Sequence, residues 1–103
     1  MIVRWYPNAK SDMRQIARYI QERFGTKYSK EFLREVVRTE KLLVSCPNIG
    51  KVEPLLKNTT VTYRSFLVAQ KSKIVYRIDG GIIIVVAFWD CCRDPDALAA
   101  QVK

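Results

Sequence analysis

Five basic residues in the second half of the chain, Arg64, Lys71, Lys73, Arg77 and Arg93, fall in or just beyond segments rich in β-branched and aromatic residues. Side chains that alternate along extended segments gather on sheet faces. A cationic cluster there can hold phosphates and offset the charge that builds on phosphorus during RNA cleavage. The spacing sets Arg64 opposite Tyr63, and Lys71 with Lys73 opposite Ile74 and Tyr76. The same residues also suit an edge strand kept soluble by its charges. Two carboxylates complete a candidate set: Glu53 as a base and Asp90 as an acid. Each has an ordinary alternative, Glu53 as a solvated loop residue and Asp90 as a cap or a partner for Arg93.

The 103 residues contain no histidine, which excludes Ser/His/Asp and Cys/His catalysis and removes the commonest metal ligand. Cys46, Cys91 and Cys92 are odd in number, and the adjacent pair lacks C-x-x-C spacing. They read as ordinary small residues of a reduced, cytoplasmic protein, and no metal or cofactor is expected. The formal charge is +8, which favours an anionic partner: nucleic acid, an acidic protein segment or an anionic surface. Through Arg77 the chain carries 16 basic and 6 acidic residues. Lys10, Arg14 and Arg18 follow i, i+4 spacing, and Lys27, Lys30, Arg34, Arg38 and Lys41 form a second row. Interleaved with Glu22, Glu31, Glu35 and Glu40, these rows read as solvated helix faces, and they also suit docking. No apolar run is long enough to span a membrane, and the N-terminus lacks the pattern of a signal peptide.

These side chains need elements to position them. Residues 2–6 form an apolar run closed by Pro7 and Asn8, which predicts a strand with Asn8 able to cap the following helix. Met13, Ile16, Ala17, Ile20 and Phe24 recur at helical spacing, and Gly25 supplies a stop. Thr26 can cap a second helix that buries Phe32, Leu33, Val36, Val37, Leu43 and Val44 and ends near Cys46. Two helices so closely joined make an antiparallel hairpin. Pro47, Asn48, Gly50, Pro54 and Asn58 mark a loop, with Leu55 and Leu56 able to pin it to the core.

Residues 61–66, 73–78 and 82–89 then predict strands, the last two joined by Asp79-Gly80-Gly81 as a hairpin. Residues 82–86 are apolar on both faces, which suits a central strand covered on two sides. Asp94-Pro95-Asp96 can start a short helix. The expectation is one α+β domain over residues 1–103. A helical hairpin packs on a small, mainly antiparallel sheet, in the order β-α-α-β-β-β-short α.

Tyr19-Ile20, Phe24-Gly25, Phe32, Pro47, Gly50, Tyr63-Arg64-Ser65, Ile74-Val75-Tyr76-Arg77-Ile78 and Trp89-Asp90 with Arg93-Asp94-Pro95 resemble, in order and spacing, the RelE/ParE superfamily of bacterial type II toxins. The resemblance implies a growth-inhibiting toxin neutralised by a cognate antitoxin, whose extended segment supplies acidic and apolar side chains. Some members cleave messenger RNA in the ribosome and others poison DNA gyrase, so the fold does not choose the target. Arg64, Lys73 and Arg93 fall where three basic residues of the nucleases would be. Phe66 stands where another lysine is expected, and beyond Arg93 there is no tyrosine or histidine, with Ala99 near that place. The Trp89 to Pro95 stretch is nearer the ParE branch and plasmid-stabilisation proteins, although Cys92 replaces a second basic residue common there.

The incomplete nuclease set favours a ParE-like gyrase inhibitor, which acts by binding. The alternatives are a RelE-like ribosome-dependent mRNA endonuclease, a basic nucleic-acid-binding module without toxicity, and a degenerate toxin retained for its antitoxin complex.

Overall fold

The computed structural model describes residues 1–56, 60–69 and 71–90 of the chain. Strand β1 (Ile2–Trp5) leads into helix α1 (Pro7–Phe24), and helix α2 (Thr26–Ser45) follows after Gly25 alone. A two-residue strand β2 (Lys51–Val52) and a 3-10 turn (Pro54–Leu56) occupy the expected loop. Strands β3 (Arg64–Val68), β4 (Ser72–Asp79) and β5 (Ile82–Asp90) then complete a five-stranded sheet. Its order is β1-β5-β4-β3-β2, with β1 parallel to β5 and every other pair antiparallel. The α+β expectation stands. The short helix predicted near residue 94 lies outside the described residues.

Several boundaries differ from the sequence expectation for local reasons. Pro7, with its ring-fixed φ, starts α1 directly, so Tyr6 is the cap and Asn8 lies inside the helix. Gly25 ends α1 and begins α2 at φ +100°, a conformation open to glycine, and Thr26 is therefore already helical. Strand β3 begins three residues later than predicted because its register is set by Phe66 and Val68, which face the helices.

The helices cover one sheet face. Ala9 and Ala17 of α1 and Phe32, Val36 and Leu43 of α2 pack on Val68, Ile74, Tyr76, Ile83, Val85 and Phe88. Phe88 stacks on Trp5 and meets Phe32 edge-on, each at 5.9 Å between ring centroids, joining β1, β5 and α2. The buried Ser29 hydroxyl donates to Ala17 O at 2.9 Å and ties the two helices. Leu33, Val37, Val44 and Phe24, expected inside, are exposed.

A second, smaller core lies on the opposite face, where Leu56 and Tyr63 pack on Val75, Ile84, Val86, Ala87 and Trp89. Val75 pairs with Ala87 and Tyr76 with Val85, leaving Val86 as the extra residue of a β-bulge. The bulge turns Val86 and Ala87 to the same side, and β5 is apolar on both faces because each face meets a core. The hairpin between β4 and β5 turns as predicted, with Gly80 at φ +60°.

Gly50 sits where the chain leaving α2 passes under the sheet edge. A Cβ there would lie 2.7 Å from Tyr76 Oη and 2.8 Å from Ser65 O, and the latter is backbone. Gly50→Ala should therefore lower the unfolding free energy by about 2 kcal/mol, through overpacking. Urea denaturation measures this. Gly81→Ala, with nothing within 4 Å, should change it little.

Candidate functional site

Cross-strand partners share a sheet face, so the register decides which cations can meet. Arg64 pairs with Tyr76, which belongs to the core under the helices. Lys73 pairs with Leu67 on one side and Trp89 on the other, and Trp89 belongs to the opposite core. Arg64 and Lys73 thus project from opposite faces, and the expectation that they converge in one pocket is corrected. Arg93, Cys91, Cys92 and Ala99 lie outside the described residues.

On the helix side, Tyr76 is fully buried and its hydroxyl does two things. It donates to Pro47 O at 2.6 Å and accepts from Gly50 N–H at 3.0 Å. Burial pushes the phenol pKa up, against the lowering by Gly50 N–H and the Arg64 charge, so the proton it donates stays in place at neutral pH. Arg64 Nη1 donates to Gly50 O at 2.9 Å, which commits that guanidinium edge to the chain it grips. Phe66, where a nuclease lysine was expected, packs against the helical core.

On the other face Lys73 Nζ lies 2.7 Å from Glu53 Oε1. Glu53 is 1% exposed, so it is no solvated loop residue. Burial alone would raise its pKa, yet the Lys73 hydrogen bond and charge hold it below the ordinary value. The Ser65 hydroxyl and Leu55 N–H add to the lowering. Neither Ser65 Oγ nor Glu53 Oε2 makes a hydrogen bond of normal geometry, so Ser65 acts by proximity to the carboxylate. A carboxylate held low is a poor proton acceptor near pH 7, which counts against Glu53 as a general base.

Asp90 pairs with Ser72 at the far end of β5, on the helix side. With Lys71 and Ala69 it lines a cleft of about 770 Å³ whose opposite wall carries Tyr19 and Tyr28. Ala69, at the β3–β4 turn, has a positive φ of 52°.

Arg77, one of the expected basic residues, is joined by Arg4, which the sequence did not single out. Arg4 and Arg77 both pair with Ile84, from opposite sides, on the face away from the helices. Arg77 Nη1 donates to Tyr6 Oη at 2.8 Å, with its guanidinium carbon 5.5 Å from the Tyr6 ring centre. That hydrogen bond, strengthened by the nearby Tyr63 and Asp79, holds the guanidinium above its ordinary value. Among the described residues no group of three His, Cys, Asp or Glu could hold a metal ion, and no helix is long and apolar enough to cross a membrane.

A family model described as ParE toxin of type II toxin-antitoxin system, parDE, matches residues 3–95. A solved chain described as the chromosomal ParDE TA system from P. aeruginosa shares the fold, with a TM-score of 0.70. The match covers 87% of this chain and 95% of that chain at 18% identity. The comparison with curated proteins finds no match.

The Glu53–Lys73 pair carries a pH signature. Because the folded-state pKa of Glu53 is depressed from about 4.5, its contribution to stability is present above that value and lost as pH falls through the lowered one. Urea midpoints measured across the acid range should show this loss, and Glu53→Gln should flatten it. Lys73→Ala strands a buried carboxylate and should cost about 3 kcal/mol at pH 7.

Proposed function

The chain belongs to the ParE toxin family of type II toxin–antitoxin systems, and from that premise we propose that it arrests growth by binding DNA gyrase and is held silent by a co-encoded antitoxin. The observation that carries the choice of target is the division of Arg64 and Lys73 between two sheet faces. Cleavage of an RNA phosphodiester needs cations aimed at one phosphate together with a base and an acid. Here Arg64 is engaged by Gly50 O, Lys73 by a buried carboxylate, and Phe66 by the core. Such an arrangement favours action by surface recognition over turnover. Gyrase places the site of action in the cytoplasm.

Expression of the chain alone should arrest a bacterial host, and co-expression of the antitoxin encoded beside it should relieve the arrest. Purified chain added to gyrase should lower supercoiling, while a ribosome-dependent translation assay should show no codon-linked cleavage of the message. Unchanged supercoiling at toxin excess, with cleaved messages, would transfer the reading to the RelE-like nuclease. Salt-sensitive binding to free nucleic acid with no arrest would favour the non-toxic module.

A further inference from the structure

The sheet face away from the helices presents two arginines on either side of one apolar residue. Arg4 of β1 and Arg77 of β4 both pair with Ile84 of β5, so their backbones stand two strand spacings, about 10 Å, apart. Arginine side chains that start from there can close on one group from both sides. The floor between them is apolar, formed by Ile84 with Ile82 on the same face, both half-buried. Arg4 is exposed and has no hydrogen-bond or ion-pair partner among the described residues.

Two phenols frame Arg77. Tyr6, which follows β1 and is 42% exposed, accepts the Nη1 hydrogen bond and faces the guanidinium with its ring. Tyr63, half-buried, stands nearby on the β3 side. The other edge of the guanidinium, Nε with Nη2, makes no hydrogen bond among the described residues. Asp79, further along β4 on the same face, is the acid whose charge reaches Arg77.

We propose that this face binds single-stranded DNA, with one phosphate held between Arg4 and Arg77 and a neighbouring base stacked on the Tyr6–Arg77 pair. A carboxylate presents two oxygens on one edge and fills one guanidinium fork, whereas a phosphate offers oxygens to forks from two sides. Exposed phenol and guanidinium planes suit bases free of a duplex, which an acidic peptide does not supply. The floor of Ile82 and Ile84 has neither donor nor acceptor for a ribose 2′-hydroxyl, which favours deoxyribose. The choice of DNA rests also on the gyrase reading, since DNA is what gyrase works on. Arg4, Tyr6 and Arg77 are separate from Arg64, Lys73 and Arg93, the set that the nuclease resemblance singled out.

The probe is a short fluorescein-labelled oligo-dT, titrated against the full-length protein by anisotropy over a range of salt. Arg4→Ala with Arg77→Ala should weaken binding at least about tenfold and flatten the slope of log affinity against log salt by about 0.7, the share of one single-strand phosphate. Arg14→Ala with Arg18→Ala removes the same charge from α1 and should change the slope little. Tyr6→Leu should cost at least about fivefold, the loss of one stacked base, and Asp79→Asn should tighten binding. Circular dichroism should show each variant folded; if Arg77→Ala does not fold, Arg77→Lys keeps the charge, loses the fork and should still weaken binding. Equal losses from the α1 variant would overturn the inference, as would binding indifferent to Arg4 and Arg77. So would a duplex or oligo-rU bound as tightly as oligo-dT, or a poly-glutamate peptide bound more tightly through the same two arginines. The supercoiling assay reports on the gyrase reading separately. Inhibition intact with oligo-dT indifferent to the arginines sinks only this site, and the reverse sinks only the gyrase reading.

Discussion

The connection leaving α2 is mostly exposed until Gly50, which is buried at the sheet edge, and a single phenol hydroxyl fixes that entry. Tyr76 Oη answers Pro47 C=O and Gly50 N–H at once, satisfying a buried donor and a part-buried acceptor together. The path it fixes delivers Gly50 O to Arg64, sets Lys51 and Val52 against β3, and drops Glu53 beneath the sheet beside Lys73. The absence of a Cβ at Gly50 is part of the same device. Two of the cations first suspected of chemistry, Arg64 and Lys73, are therefore placed by a structural clamp, each holding one of its groups.

The sheet separates two electrostatic environments. Under the helices, Arg64 anchors a loop, while on the far side Lys73 neutralises a carboxylate and Arg77 leans on Tyr6. The bulge at Val86 makes this division workable. It lets β5 send Val85 and Phe88 to the helices while Val86, Ala87 and Trp89 serve the other core. A strand asked to feed two cores cannot also present a row of free charges. The exposed cations are left to the helices and the sheet margins, where they suit recognition of another macromolecule.

Much of the fold was legible because it is written in local periodicity. Ile16, Ala17 and Ile20 announce a helix, and Asp79-Gly80-Gly81 announces a tight turn, from spacing and backbone freedom alone. Register between strands is not local. Parity along β3 or β4 says which residues of one strand share a face, but nothing about whether Arg64 and Lys73 do, and a one-residue slip reverses the answer. The contact of Tyr6 with Arg77 follows from the parallel pairing of β1 with β5, which joins segments about 80 residues apart and leaves no trace in either. Likewise the pattern on α2 displays an apolar arc without saying which part of it finds cover. Glu53 was noticed as a carboxylate, but its burial depends on Lys73 arriving from another strand.

The parallel pairing has a temporal consequence. β5 lies between β1 and β4, so the opening strand has no sheet neighbour until residues 82–90 have left the ribosome. The α1–α2 hairpin can form from its own local contacts well before then, but the sheet that organises Tyr76, Arg64 and Lys73 closes only when β5 is inserted. The nascent chain thus carries both helices before the strand that completes the sheet has been made.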